Sequence, residues 1–190
     1  MNDSEVLKLF KESGALMEGH FVLRSGLRSS YFFQCARVCE RLDYVEQLAT
    51  ALLAKWTAQN IAFDTVLAPA MGALVIGQEV ARQAGKRFIF SEKTESGMAL
   101  RRGFKMAPEE KILIVEDVVT RGGRVTETLE LAREAGGQSV GVAVLVDRSA
   151  GQVTFPVPMQ ALLTLDFPTY SPDALPDSLK GIKPVKPGSS

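Results

Sequence analysis

The period of apolar and polar positions changes several times along this chain, and each change marks an element. In "SEVLKLFKES", residues 4–13, the apolar residues at 6, 7, 9 and 10 follow a helical repeat behind Ser4, predicting a short amphipathic helix that stops at Gly14. "GHFVLRSG" (19–26) and "SSYFFQ" (29–34) suit two short strands around a Gly-containing turn, although "YFF" equally suits a packed aromatic cluster. Residues 43–59, "DYVEQLATALLAKWTAQ", have helical spacing, and "DTVLAPA" (64–70) is a short buried-strand pattern.

The order then repeats. "MGALVIGQEVARQAG" (71–85) predicts a helix, "KRFIFSE" (86–92) and "KILIVED" (111–117) predict strands, "GRVTETLELAREAGG" (123–137) predicts a helix with a Gly stop, and "SVGVAVLVD" (139–147) predicts another strand. Val-, Ile- and Leu-rich strands alternating with helices imply an α/β fold whose central parallel sheet is covered on both faces. Such sheets bind ligands at the C-terminal ends of their strands. Between two of the strands lies "KTESGMALRRGFKMAPEE" (93–110), long enough to predict a functional lid, within which "GMALRRGF" suits a hairpin. The tail "GIKPVKPGSS" (181–190) is rich in Pro, Gly and Ser and predicts poor order.

Composition narrows the function classes. A chain of 190 residues with 46% apolar and 23% charged residues fits one globular domain. Twenty-two basic and twenty-two acidic residues cancel, so the sequence-wide positive footprint of a nucleic-acid binder is missing. No apolar run approaches the length of a membrane helix, and "MNDSEVLKLFKESG" carries acids where a signal peptide carries basic residues, so no membrane partner and a cytoplasmic location are expected. Cys35 and Cys39, with His20 as the sole histidine, supply neither a disulfide framework nor a zinc ligand set, and inert thiols are expected.

The candidate chemistry lies in "ILIVEDVVTRGGRV", residues 112–125. Adjacent carboxylates repel, and each resists ionisation when desolvated, so a plain core strand gains nothing from ending on Glu116 and Asp117. After them, "TRGGR" (120–124) supplies amides, a hydroxyl and two glycines where a helix begins, which is what a phosphate requires. The Gly-Lys-Ser/Thr ending of a Walker loop is missing, and the adjacent glycines do not fit a dinucleotide fingerprint. Acids before a phosphate cradle point to a sugar phosphate, with the carboxylates accepting from ribose hydroxyls.

This succession of apolar run, acid pair and Thr/Gly-rich loop resembles the phosphoribosyl diphosphate (PRPP) signature of the type I phosphoribosyltransferases. "FVLRSGLRSSYFFQ" (21–34) is similar to the N-terminal hood of the orotate phosphoribosyltransferase family, and "AVLVDRSAG" (143–151), "APAMGAL" (68–74) and "LRRGF" (100–104) extend the likeness, in order, over about residues 5–170. The resemblance implies a type I phosphoribosyltransferase fold in residues 1–180, with a core at about 41–147, a hood from about 14–40 and 148–172, and a tail at 181–190. It also implies the reaction of orotate with PRPP to give orotidine monophosphate and diphosphate in pyrimidine synthesis.

By the same resemblance, Glu116 and Asp117 hold the ribose hydroxyls and act in catalysis, and the run Val118, Val119, Thr120, Arg121, Gly122, Gly123, Arg124 binds PRPP. Thr120 and Arg148 touch orotate, and a guanidinium fork suits the oxygens of that planar anion. Arg24 stands where the family commonly has Lys, which keeps a cation and changes its geometry. Phe32 and Phe33 either flank the pyrimidine or pack in the core. "APAMGAL" lacks the lysine of the family's "PAYKG" version, which leaves Lys93 as the catalytic and PRPP-binding cation near the lid. A lid histidine is excluded, because His20 is the only one; Arg101 and Arg102 either add charge there or form a solvated face. Mg²⁺ is the implied cofactor, held through substrate oxygens and water without a protein metal site. A homodimer with shared active sites is implied as well. The rival readings are a purine phosphoribosyltransferase, which the hood sequence disfavours, and a PRPP-sensing regulator that binds nucleic acid, which zero net charge disfavours.

Overall fold

A computed structural model describes residues 1–23 and 25–187; Arg24 and residues 188–190 lie outside the described residues. Helix α1 (Asp3–Glu12) begins before Ser4, because Asn2 is the cap. The Asn2 side chain accepts the Glu5 N–H at 3.0 Å, and the Glu5 carboxylate accepts the Asn2 N–H at 2.9 Å, so each end of the box satisfies the other. Strands β1 (Leu16–Val22) and β2 (Arg28–Phe33) then pair antiparallel, and α2 (Leu42–Thr57), β3 (Thr65–Pro69) and α3 (Leu74–Ala84) follow. The rest of the chain is β4 (Arg87–Thr94), β5 (Gly97–Leu100), β6 (Lys111–Val119), α4 (Gly123–Glu134), β7 (Gln138–Asp147), β8 (Met159–Thr164) and β9 (Thr169–Tyr170).

The main sheet has the order β5-β4-β3-β6-β7-β8, and every neighbouring pair is parallel except β4 with β5. Both faces are covered, which is why β6 reads as an unbroken apolar run. Leu113 and Val115 pack with residues of α1, α2 and α3, while Ile112 and Ile114 pack with Val125, Leu129 and Ala132 of α4. The strands β3, β6 and β7 therefore deliver their C-terminal ends to one edge, where β6 runs into α4. No helix among the described residues is long and apolar enough to cross a membrane.

Three sequence expectations change. Residues 148–172, expected as hood, divide between the two sheets: β8 pairs parallel with β7 in the main sheet, and only β9 joins β2 in the hood sheet β1-β2-β9. Only Leu162 and Leu163 of β8 are buried, so this short edge strand lacks the alternation that would have revealed it. The long connection 93–110 opens as a hairpin, with Thr94 opposite Gly97 and Ser91 opposite Leu100, and Phe104 packs edge-on against Phe90 at 5.1 Å. The described part of the tail, 181–187, lies along β1. Val185 N–H donates to His20 O and Val22 N–H donates to Val185 O, each at 2.8 Å. An edge strand exposes unpaired backbone groups, and a segment with Pro184 and Pro187 beside Val185 satisfies them without offering a further edge.

Candidate active site

Where β6 meets α4, a cleft of about 310 Å³ opens, lined by Glu116 through Val125 together with Phe33, Gln34 and Cys35 from the hood side. The period of the strand sends Glu116 and Asp117 to opposite sides, so Glu116 is buried and Asp117 half-buried. Glu116 Oε1 accepts the Asp117 N–H at 3.0 Å, and Asp117 Oδ1 accepts the Val118 N–H at 2.8 Å. Burial first, and then the neighbouring Asp117, push the Glu116 carboxyl up to about 9, while Arg124 pulls it weakly the other way. Burial and Asp117 both favour the protonated form of Glu116 in the free protein.

Two glycines shape the cleft. The turn from β3 into α3 presses on the acid pair, and a Cβ at Gly72 would run into the Asp117 carboxylate. The helix expected from Met71 begins at Leu74, which leaves residues 70–73, "AMGA", as a turn beside Asp117. Gly122, the N-cap of α4, has φ 76°, and a Cβ there would stand 2.7 Å from Val153 and 3.1 Å from Phe155. No side chain caps α4, so its first-turn amides, beside exposed Thr120, Arg121 and Arg124, are left for an anion.

The hood residues divide. Phe33 lines the cleft and also packs edge-on against Phe10 at 4.8 Å, so it serves core and cleft together. Phe32 is tilted against Phe21 at 5.7 Å and does not line the cleft. Arg24 lies outside the described residues. Arg148 follows β7, its N–H donating to Val119 O at 2.8 Å, and its half-buried side chain lies beyond the cleft lining. Its Nε is buried with no partner among the described residues, and burial lowers its pKa.

Lys93 is not brought to this cleft. Its Nζ meets Glu127 Oε2 of α4 at 2.7 Å on the surface. Arg102 forks onto Glu92 at 2.9 and 3.2 Å, with Arg101 3.9 Å from the same carboxylate, and the Arg102 hydrogen bond holds Glu92 below the usual carboxylate range.

Gln34, Cys35 and Val125 line the cleft without having been singled out in the sequence. Cys35 opens a short 3-10 helix (Cys35–Glu40) directly after β2, a change of period that the sequence pattern does not signal. Its thiol is buried, and burial together with Asp117 pushes it well above the ordinary range; Cys39 is pushed up to about 11. Both thiols resist ionisation, as inert thiols do. Among the described residues, no cluster of three or more His, Cys, Asp or Glu could hold a metal.

An acid pair at a parallel-strand end, followed by an uncapped helix start, is an arrangement that suits the phosphoribosyltransferase class. Comparison with known proteins agrees: the phosphoribosyl transferase domain family matches residues 40–154. The orotate phosphoribosyltransferase of Desulforamulus reducens is 44% identical over 189 residues, covering 100% of this chain and 98% of that protein. Among solved structures, orotate phosphoribosyltransferase from Aeropyrum pernix superposes with a TM-score of 0.72 at 24% identity, over 84% of this chain and 93% of that one. Adenine phosphoribosyltransferase from Rhodothermus marinus superposes with a TM-score of 0.62 at 20% identity, over 85% of this chain and 99% of that one. Base preference is therefore not a property of the shared fold. The chain belongs to the phosphoribosyltransferase family, in its orotate phosphoribosyltransferase branch.

Proposed function

We propose that this protein transfers the 5-phosphoribosyl group of PRPP to orotate, giving orotidine 5′-monophosphate and diphosphate. One observation carries the reading: the acids Glu116 and Asp117 and the uncapped start of α4 line a single cleft. The first-turn amides and Thr120 to Arg124 hold the 5-phosphate, and the acids receive the ribose hydroxyls. The bond from the anomeric carbon to diphosphate breaks, its electron pair leaving with diphosphate. A ring nitrogen of orotate bonds to the same carbon and loses its proton.

Positive charge develops on the ribose, and Asp117, open to the cleft, is placed to stabilise it. Glu116, beside it on the strand, meets a ribose hydroxyl. Arg148 meets the base oxygens with a half-buried guanidinium that has no carboxylate partner among the described residues. The donor set at the cleft suits Mg²⁺ as an ion carried mainly by substrate oxygens and water, since Asp117 is the open carboxylate. When bound, Mg²⁺ neutralises the leaving diphosphate.

Lys93 lies outside the lining of its own cleft, which supports a homodimer in which the 93–104 hairpin serves the neighbouring site. The test is product formation by purified protein with PRPP, Mg²⁺ and either orotate or a purine base. Orotidine monophosphate forming with orotate, and no nucleotide forming with adenine, supports the reading; adenine turnover without orotate turnover overturns it.

A further inference from the structure

Arg148 is an unusual recognition group, because no carboxylate among the described residues pairs with it. Its side chain is half-buried, and its Nε finds no acceptor among the described residues. A long side chain in that position loses specificity unless something else fixes its plane.

Two aromatic rings are in place to do so. The guanidinium carbon lies 5.3 Å from the centroid of the Phe167 ring. Phe167 in turn stacks on Tyr31 of β2, with centroids 4.9 Å apart and planes 19° from parallel. The segment that carries Phe167 is tied at both ends. Leu165 N–H donates to Asp147 O at 2.7 Å, beside the strand end that carries Arg148, and Pro168 O accepts from Ser29 Oγ at 3.4 Å in the hood. The turn after Arg148 is fixed too, since the Asp147 carboxylate accepts the N–H groups of Ser149 and Gly151 at 2.7 and 3.1 Å.

We propose that Phe167, backed by Tyr31, is a positioning residue for base selection: the stack of Tyr31, Phe167 and Arg148 orients the guanidinium toward the base. This inference rests on Arg148 meeting the base oxygens. A ring face attracts a guanidinium and restricts its tilt, while leaving the N–H edges of the fork free for an anion. A carboxylate partner would compete with orotate for those edges; an aromatic partner does not. Phe167 touches no reacting atom in this account and acts through Arg148.

Steady-state kinetics of Phe167→Leu, Phe167→Tyr, Arg148→Ala and the double variant, each checked for an unchanged melting temperature, test the proposal. Phe167→Leu should raise KM for orotate about 3- to 30-fold, as loss of a cation–ring contact implies, with kcat and KM for PRPP within about twofold of wild type. Phe167→Tyr keeps the ring and should restore KM. On the Arg148→Ala background, Phe167→Leu should add nothing, because the group it positions is gone. Tyr31→Leu supplies a second variant should Phe167→Leu fold poorly, with a smaller rise in the same KM that also vanishes without Arg148. Multiplicative effects in the double variant, or equal rises in both KM values, overturn the positioning role. An Arg148→Ala protein with normal orotate KM overturns it as well, and that single variant identifies the assignment of Arg148 as the part that failed.

Discussion

The core and the hood meet at one cleft and are built in opposite ways. The core contribution is a single contiguous run, Glu116 through Val125, in which the strand end, the phosphate loop and the first helical turn succeed one another without a break. The hood is assembled from distant pieces: β1, β2, β9 and the bridge to Val185. In the proposed reaction, the groups assigned to the sugar are thus fixed by local geometry, whereas those assigned to the base depend on long-range assembly. A damaged core residue should cost turnover, and a damaged hood residue should cost base affinity.

The largest effect is expected at Asp117. Asp117→Asn should reduce turnover roughly 10²- to 10³-fold, the range for removing one transition-state stabilising group, with orotate affinity and melting temperature close to wild type. Turnover that survives this change removes Asp117 from the mechanism.

Next comes the base side of the cleft, where Arg148 leaves core strand β7 and lies beside Phe167: Arg148→Ala should weaken orotate binding by about 1.5 to 3 kcal/mol and leave PRPP binding unchanged. If calorimetry shows both ligands weakened alike, Arg148 is structural and the division between core and hood breaks down.

A subtler core effect appears in the pH dependence of stability. The Glu116 carboxyl is raised in the folded state from an ordinary 4.5 to about 9. The folded protein therefore binds the proton more tightly than the unfolded chain, and the stabilisation is fully present below the unfolded pKa and is lost as pH rises toward 9. Glu116→Gln is neutral at every pH, so the melting temperature of wild type relative to this variant should fall as pH rises across that window. Parallel melting curves would place Glu116 in a more solvated setting than its burial implies.

The smallest effect belongs to the strap over β1. Ending the chain after Lys180 removes the two backbone hydrogen bonds to β1, at about 0.5 to 1.5 kcal/mol each, together with the contact of His20 Nδ1 with Ile182 O. Amide exchange should quicken in β1 and stay unchanged in β6 and β7. Unchanged exchange in β1 would mean that the hood does not need its C-terminal strand.

The same contrast explains what was legible in the sequence. Seven expected elements from residue 43 to 147 correspond to observed ones, and the acid pair and phosphate loop fall on the strand and helix start that their spacing predicts. Those features are written locally. Strand β8 and the pairing of Val185 are not, since half-buried edge segments carry little periodicity and their partners lie far away in sequence. Lys93 shows a third case. Its charge and place beside the long loop pointed to the cleft, but a surface carboxylate, Glu127, lies within reach of its flexible stem, and sequence spacing does not reveal such a competitor. For Phe32 and Phe33 the strand period decides between core and cleft only once the pairing of β2 is known.

The division of the cleft is tested most directly by hydrogen exchange with ligands added in sequence. PRPP with Mg²⁺ should first slow the amides of residues 120–126 and those of the 93–104 hairpin, and orotate added afterwards should slow the hood around residues 28–35 and 148–151. Protection that appears in the hood with PRPP alone, while 120–126 stays unprotected, would contradict the account.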